Sequence, residues 1–153
     1  MLDVYVDADG CPVKDEVYRV ARRYRLKVWV VSNRPLRVPM EDGIFPVAVG
    51  GAFDAADDWI EERIGEDDIA ITADLPLAAR CLKKGAAVLG PKGQVHDEST
   101  IGDALASREL MDQLRQMGVT TGGPAPMAAR DRSTFLSRLD ETIQRIRRKT
   151  AEA

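Results

Sequence analysis

Five short runs of apolar residues, several of them β-branched, punctuate the first ninety positions, and between them the apolar residues recur at helical spacing. That alternation leaves few folds open. A strand that is apolar along its whole length needs cover on both faces, and helices supplied between strands provide it. The expected architecture is an α/β single-domain three-layer sandwich, with a mainly parallel sheet of about five strands joined by right-handed crossovers.

Residues 2–7 read as the first strand. Pro12 then opens a helix whose stripe is Val13, Val17, Val20, Ala21 and Tyr24. Leu26 to Val31 is the second strand, and Val47 to Val49 the third, after a loop punctuated by Pro35, Pro39 and Pro46. Asp54 is placed to cap a helix carrying Ala56, Trp59, Ile60 and Ile64. Ile69 to Ala73 is the fourth strand, Leu75-Pro76 begins the next helix, and Ala86 to Leu89 is the fifth strand. Thr100 and Asp103 resemble a capping box for a helix with Ile101, Leu105, Leu110, Leu114 and Met117 on its stripe. A proline-stiffened loop, Gly122 to Pro126, leads to a last helix over about 131–149, with Phe135, Leu139, Ile143 and Ile146 facing inward. No repeat or domain boundary interrupts residues 1–153, so one domain is expected.

Composition narrows the partners only slightly. A net charge of −3 argues against a generally basic nucleic-acid coat. Cys11 and Cys81 stand far apart, and His96 is the sole histidine, so zinc is not expected. No apolar run reaches the roughly 18 residues of a membrane span, and no charged-then-apolar leader opens the sequence, which points to a reducing cytoplasm.

The informative pattern is where the aspartates fall. In an open α/β sheet, ligands sit beyond the carboxyl ends of the strands, where strand order reverses. Asp7 and Asp9 follow the first strand, Asp54, Asp57 and Asp58 the third, and Asp74 the fourth. Like charges converging in one cleft require a shared proton or a cation. Carboxylates without thiolate or imidazole favour Mg²⁺ or Mn²⁺, and with such an ion phosphoryl chemistry follows. Singly, each acid also has a plain role: Asp9-Gly10 is good turn chemistry, and Asp54, Asp57 and Asp58 suit the first turn of a helix.

Four blocks carry a resemblance that covers nearly the whole chain. Asp-Ala-Asp-Gly-Cys-Pro-Val-Lys at 7–14, Gly-Ala-Phe-Asp-Ala-Ala-Asp-Asp-Trp-Ile at 51–60, Ile-Thr-Ala-Asp-Leu-Pro-Leu-Ala at 71–78, and Gly-Gly-Pro-Ala-Pro with Asp131, Arg132 and Phe135 resemble the bacterial YaiI/YqxD family of uncharacterised proteins. That family is grouped by similarity with PIN-like domains, small metal-dependent ribonucleases. The resemblance implies that Asp7 is a first-strand metal ligand and Asp74 the acid after the fourth strand. Asp57 or Asp58 would be the second acid, and Asp9 an addition peculiar to this family. PIN-like nucleases commonly carry a further acid shortly after the fourth-strand aspartate, where this chain has Leu75, Pro76, Leu77 and Ala78.

The expected function is a divalent-metal-dependent ribonuclease. Asp7, Asp9, Asp57, Asp58 and Asp74 form its catalytic set, with Asp7, Asp9, Asp58 and Asp74 holding Mg²⁺ or Mn²⁺. Ser32, Asn33, Lys14, Arg130 and Arg132 are candidates for touching RNA. Between Arg130 and Lys149 seven Arg/Lys stand against three acids, a local +4 that leaves −7 on the remainder. One alternative is a haloacid-dehalogenase-like phosphatase, with Asp7 as nucleophile, Asp9 as acid and Ser32-Asn33 holding phosphate, although Lys83-Lys84 fall after Asp74 where that family's lysine precedes its acid pair. The other is a module that binds RNA or a nucleotide without cleaving it.

Overall fold

The structure is a computed structural model that describes residues 2–52, 54–119 and 126–152. Six strands form one sheet: β1 (Asp3–Asp7), β2 (Lys27–Ser32), β3 (Ile44–Ala48), β4 (Ile69–Ile71), β5 (Ala87–Leu89) and β6 (Val95–His96). Five helices complete the chain: α1 (Lys14–Tyr24), α2 (Ala55–Arg63), α3 (Leu75–Lys83), α4 (Glu98–Gln116) and α5 (Ala129–Glu152). The strand order is β3-β2-β1-β4-β5-β6, parallel except for β6, which pairs antiparallel with β5.

Side-chain alternation sorts the core into two layers. Val4, Val6, Val28, Val30, Ile69, Ile71 and Leu89 pack with Val13, Val17, Val20 and Ala21 of α1 and its approach, and with Phe135, Leu139, Ile143 and Ile146 of α5. Tyr5, Val31, Ala70 and Val88 face the other way, onto Ala56 and Ile60 of α2, Leu77, Ala78 and Cys81 of α3, and Ile101 of α4. The expected three-layer α/β sandwich is therefore the fold. Winding runs outward from β1 in both directions, so the first crossover helix and the later ones fall on opposite faces, as right-handed connections require.

Several expected elements differ in detail. A sixth strand exists, too short for any periodicity to announce. The third strand begins at Ile44 and takes in Pro46, which its edge position tolerates because one side of the strand makes no ladder. Helix α4 starts earlier than expected: Asp97 is its N-cap and Thr100 its third residue, the two side chains and backbones exchanging the reciprocal bonds of a capping box. Its expected inward stripe also divides. Ile101 is 8% exposed, whereas Leu110 and Met117 are 55% and 77% exposed. The loop at 122–126 lies outside the described residues except for Pro126. Among the described residues no helix is long and apolar enough to cross a membrane.

Candidate functional site

Strand parity decides where the first aspartate points. Tyr5 faces the α2/α3 layer, so Asp7, two residues on, falls on the same side at the carboxyl end of β1. There the Thr72 hydroxyl, following β4, donates to Asp7 Oδ2 at 2.8 Å. The Thr72 hydroxyl oxygen in turn accepts the Asp74 N–H at 2.9 Å, and Asp74 Oδ1 accepts the Leu77 N–H at 3.0 Å as the N-cap of α3. One hydroxyl thus couples the carboxylate ending β1 to the loop ending β4, across the crevice where strand order reverses. Thr72, 3% exposed, was not among the sequence candidates. Its signal was the Thr-x-Asp spacing, in which a hydroxyl can take a backbone N–H two residues on.

Of the two adjacent acids of α2, Asp57 is the one whose carboxyl responds to Asp7 and Asp74, with Arg80 opposing them. The Asp57 carboxyl is pushed up to about 6, first by burial, then by the charges of Asp74, Asp7 and Asp54. Asp7 is raised as well: burial is the largest cause, the Thr72 bond opposes it, and Asp74 and Asp9 add to it. Acids that raise one another in this way share an electrostatic environment. Asp58 faces elsewhere: its Oδ1 accepts from Arg80 at 2.6 Å, and Arg80 Nε also donates to Glu61 at 2.6 Å. Asp54 occupies the N-cap position of α2 without a side-chain cap bond.

Asp57→Asn is therefore expected to stabilise the protein in a pH-dependent way. With a folded-state pKa near 6 against an unfolded value near 3.9, the ionised group is disfavoured by folding, a penalty absent below about pH 4 and full above pH 6. Asparagine removes it. Discounted for partial exposure, a gain of about 1 kcal/mol corresponds to a midpoint rise of roughly 2–4 °C at pH 8 in a domain of this size. Thermal unfolding at pH 8 and pH 4.5 checks this, the difference between variant and wild type shrinking at the lower pH.

Asp74 has a second, mechanical role that can be separated from its charge. Asp74→Ala removes the cap on the Leu77 N–H and is expected to cost about 1 kcal/mol, whereas Asp74→Asn keeps an acceptor there and should cost little. Thermal midpoints of the two variants side by side test the distinction.

The remaining sequence candidates divide. Asp9 is exposed, and its Oδ2 accepts the Asn33 N–H at 2.8 Å, tying the turn after β1 to the end of β2. Gly10, at φ +75°, makes that turn possible. The Lys14 ammonium donates to the carbonyls of Cys11 at 2.9 Å and Ala8 at 3.5 Å. Ser32 is buried, and its hydroxyl donates to the Arg34 carbonyl. Arg132 braces α5 against α1, donating to Pro12 O at 2.7 Å and Glu16 Oε1 at 3.0 Å. Arg130 is exposed in the first turn of α5. Cys11 is buried and its thiol is raised by that burial, so it packs as a small apolar group. Trp29 and Trp59 are half-buried, Trp29 stacking on Phe45 with ring centres 4.6 Å apart.

Whether these acids suit a cation turns on their free oxygens. Asp7 has given one to Thr72 and Asp74 one to Leu77. Among the described residues no three His, Cys, Asp or Glu side chains stand close enough to hold an ion as they lie. A closed protein cage is thus not what this set offers. Mg²⁺ does not ask for one: it dehydrates reluctantly and is commonly held by one or two carboxylates, with waters and substrate phosphate completing the octahedron. The donor set, all carboxylate oxygen with like charges raising one another's pKa, fits an ion of that kind.

Comparison with known proteins gives one consistent result. A family model described as "Uncharacterized BCR, YaiI/YqxD family" matches residues 5–145. A UPF0178 protein of Azorhizobium caulinodans is 55% identical over 147 residues, covering 96% of this chain and 92% of that protein. One from Rhodospirillum centenum is 54% identical over 152 residues, covering 97% of this chain and 99% of that protein, and one from a Bradyrhizobium species is 55% identical over 150 residues. No solved structure matches the chain.

Proposed function

The chain belongs to the YaiI/YqxD family, and we propose that its acidic crevice is the site of a divalent-metal-dependent hydrolase acting on RNA phosphodiesters, in the manner of PIN-like ribonucleases. The observation that carries this reading is the meeting of Asp7 and Asp74 through Thr72, with Asp57 close enough for its pKa to rise to about 6. Asp7 and Asp74 would hold Mg²⁺ or Mn²⁺ directly and Asp57 through water. A bound ion of this type supplies Lewis-acid activation of the phosphate and a water of lowered pKa. Thr72 fixes which Asp7 oxygen stays free by engaging the other. Asp57, half-protonated near pH 6, can accept a proton from an attacking water in a crevice that otherwise repels anions. Lys14 and Arg34, which line a cavity together with Asp9, offset that repulsion for a polyanion.

The phosphatase alternative fits less well. It needs Asp9 as a general acid, yet the Asp9 carboxylate is engaged as an acceptor of the Asn33 N–H. It also needs a lysine beside the acids, and Lys84 instead donates to Glu61 O at 3.0 Å. Incubation with labelled single-stranded RNA and, separately, with a generic phosphomonoester, each with Mn²⁺ and with chelator, separates the readings. Mn²⁺-dependent cleavage of RNA alone is expected. Turnover of the monoester with a trapped aspartyl-phosphate would replace this reading with the phosphatase, and RNA binding without cleavage would replace it with a binding module.

A further inference from the structure

Beside the acids, on the β2 side of β1, lies a cavity of about 490 Å³ between the β1–α1 turn and the loop that follows β2. Its polar lining comes from Asp9, Gly10, Lys14, Asn33 and Arg34. We propose that this cavity is a nucleotide subsite, which takes the nucleotide next to the phosphodiester held at Asp7 and Asp74. The proposal rests on the RNA reading above and deepens it.

Three observations converge. The cavity adjoins the acids through Asp9, whose charge acts on Asp7 and whose carboxylate also lines the cavity. It is lined by two cations, Lys14 and Arg34. Lys14 spends hydrogen bonds on the Cys11 and Ala8 carbonyls, which fixes its ammonium at the cavity wall with donor capacity to spare, and Arg34 is exposed at the rim. Finally, the Asn33 side-chain oxygen is buried with no hydrogen-bond partner among the described residues. A buried acceptor left unpaired is costly, and a ligand that brings a donor relieves the cost. Phosphate on Lys14 and Arg34, together with an N–H or O–H donor on Asn33, describes a nucleotide better than it describes an inorganic anion. The donor is a ribose hydroxyl or a base amino group, and the two are separable because DNA lacks the 2′-hydroxyl. The volume suits one nucleotide unit, and the Asp9–Asn33 bond holds the two loops that form the walls.

The test is fluorescence anisotropy with a short labelled single-stranded RNA and the DNA of the same sequence, on the full chain, with Ca²⁺ in place of Mn²⁺ to slow turnover. Asn33→Ala and Arg34→Glu are each expected to weaken RNA binding about 5-fold or more, the effect of one lost hydrogen bond or charge contact. Mn²⁺ affinity, read by calorimetry, should stay at the wild-type value in both. A loss on Asn33→Ala for RNA alone identifies the ribose hydroxyl; an equal loss for DNA identifies the base. Asn33→Ala deletes an unpartnered acceptor, so its thermal midpoint should hold or rise, which separates the effect from misfolding. If both variants bind RNA as the wild type does, the subsite is overturned and the metal-dependent reading stands. A wild type that binds Mn²⁺ but neither nucleic acid overturns both.

Discussion

Asp7→Asn is expected to reduce Mn²⁺-dependent RNA cleavage by about 10³-fold while the thermal midpoint stays level or rises. The loss is set by the removal of a charged metal ligand and of the electrostatic stabilisation it arranges, a contribution of that order in other preorganised sites. The unchanged or raised stability follows from the sign of the pKa shift. Burial, then Asp74 and Asp9, raise the Asp7 carboxyl against the opposing Thr72 bond. Its ionised form is therefore disfavoured by folding once the pH passes through the raised value, and a neutral amide escapes that penalty. Asparagine can still accept the Thr72 hydroxyl through its amide oxygen, so the junction between β1 and the loop after β4 is retained. A variant with lost activity and a lower midpoint would instead mark Asp7 as a structural residue.

The largest stability effect is expected on the opposite face of the sheet. Phe135 is fully buried in α5 and packs within the core that β1, β2, β4 and α1 build. Phe135→Ala removes that ring from a packed layer and is expected to cost about 3–5 kcal/mol, which lowers the midpoint by on the order of 10 °C for this chain length. The site would feel it indirectly. Arg132, one turn earlier on α5, holds Pro12 and Glu16 at the start of α1, so loosening α5 releases the turn that follows Asp9. Thermal unfolding of Phe135→Ala against Arg132→Ala separates the two contributions: Arg132, partly exposed, contributes only its bonds. A midpoint for Phe135→Ala within a degree or two of the wild type would mean that α5 is not part of the core.

Much of this was readable from the residues. The order of strands and helices follows from apolar periodicity, and the arrival of Asp7, Asp74 and the acids that open α2 at one sheet edge is what a parallel sheet leads one to expect. The inward stripe of α5 was legible too, from Phe135 to Ile146. What escaped the sequence shares a physical reason. The two-residue β6 has no periodicity to detect, and Pro46 reads as loop until its strand is known to lie on an edge. The outer stripe of α4 obeys the same spacing as a core-facing one, because spacing says that a face exists and not what covers it. Likewise Asp57 and Asp58 are adjacent and chemically alike. Only the packing of α2 against α3 turns one toward Asp74 and the other onto Arg80. Arg132, a candidate for touching RNA, also donates to Glu16, a partner too far away in sequence to be read from it.

Asp9, the residue whose role the sequence left most open, now has one. It fixes the Asn33 backbone and so joins two loops, contributing charge to Asp7 as it does so. In the proposed site the ion rests on Asp7 and Asp74, and Asp57 carries the titrating proton. Calorimetric titration of Mn²⁺ into the wild type at pH 7 and pH 5, and into Asp7→Asn at pH 7, addresses that placement directly. The account predicts saturable binding at pH 7, weaker at pH 5 because Asp57 regains its proton, and absent in Asp7→Asn. No heat of binding at millimolar Mn²⁺, or the same isotherm in wild type and variant, would contradict it.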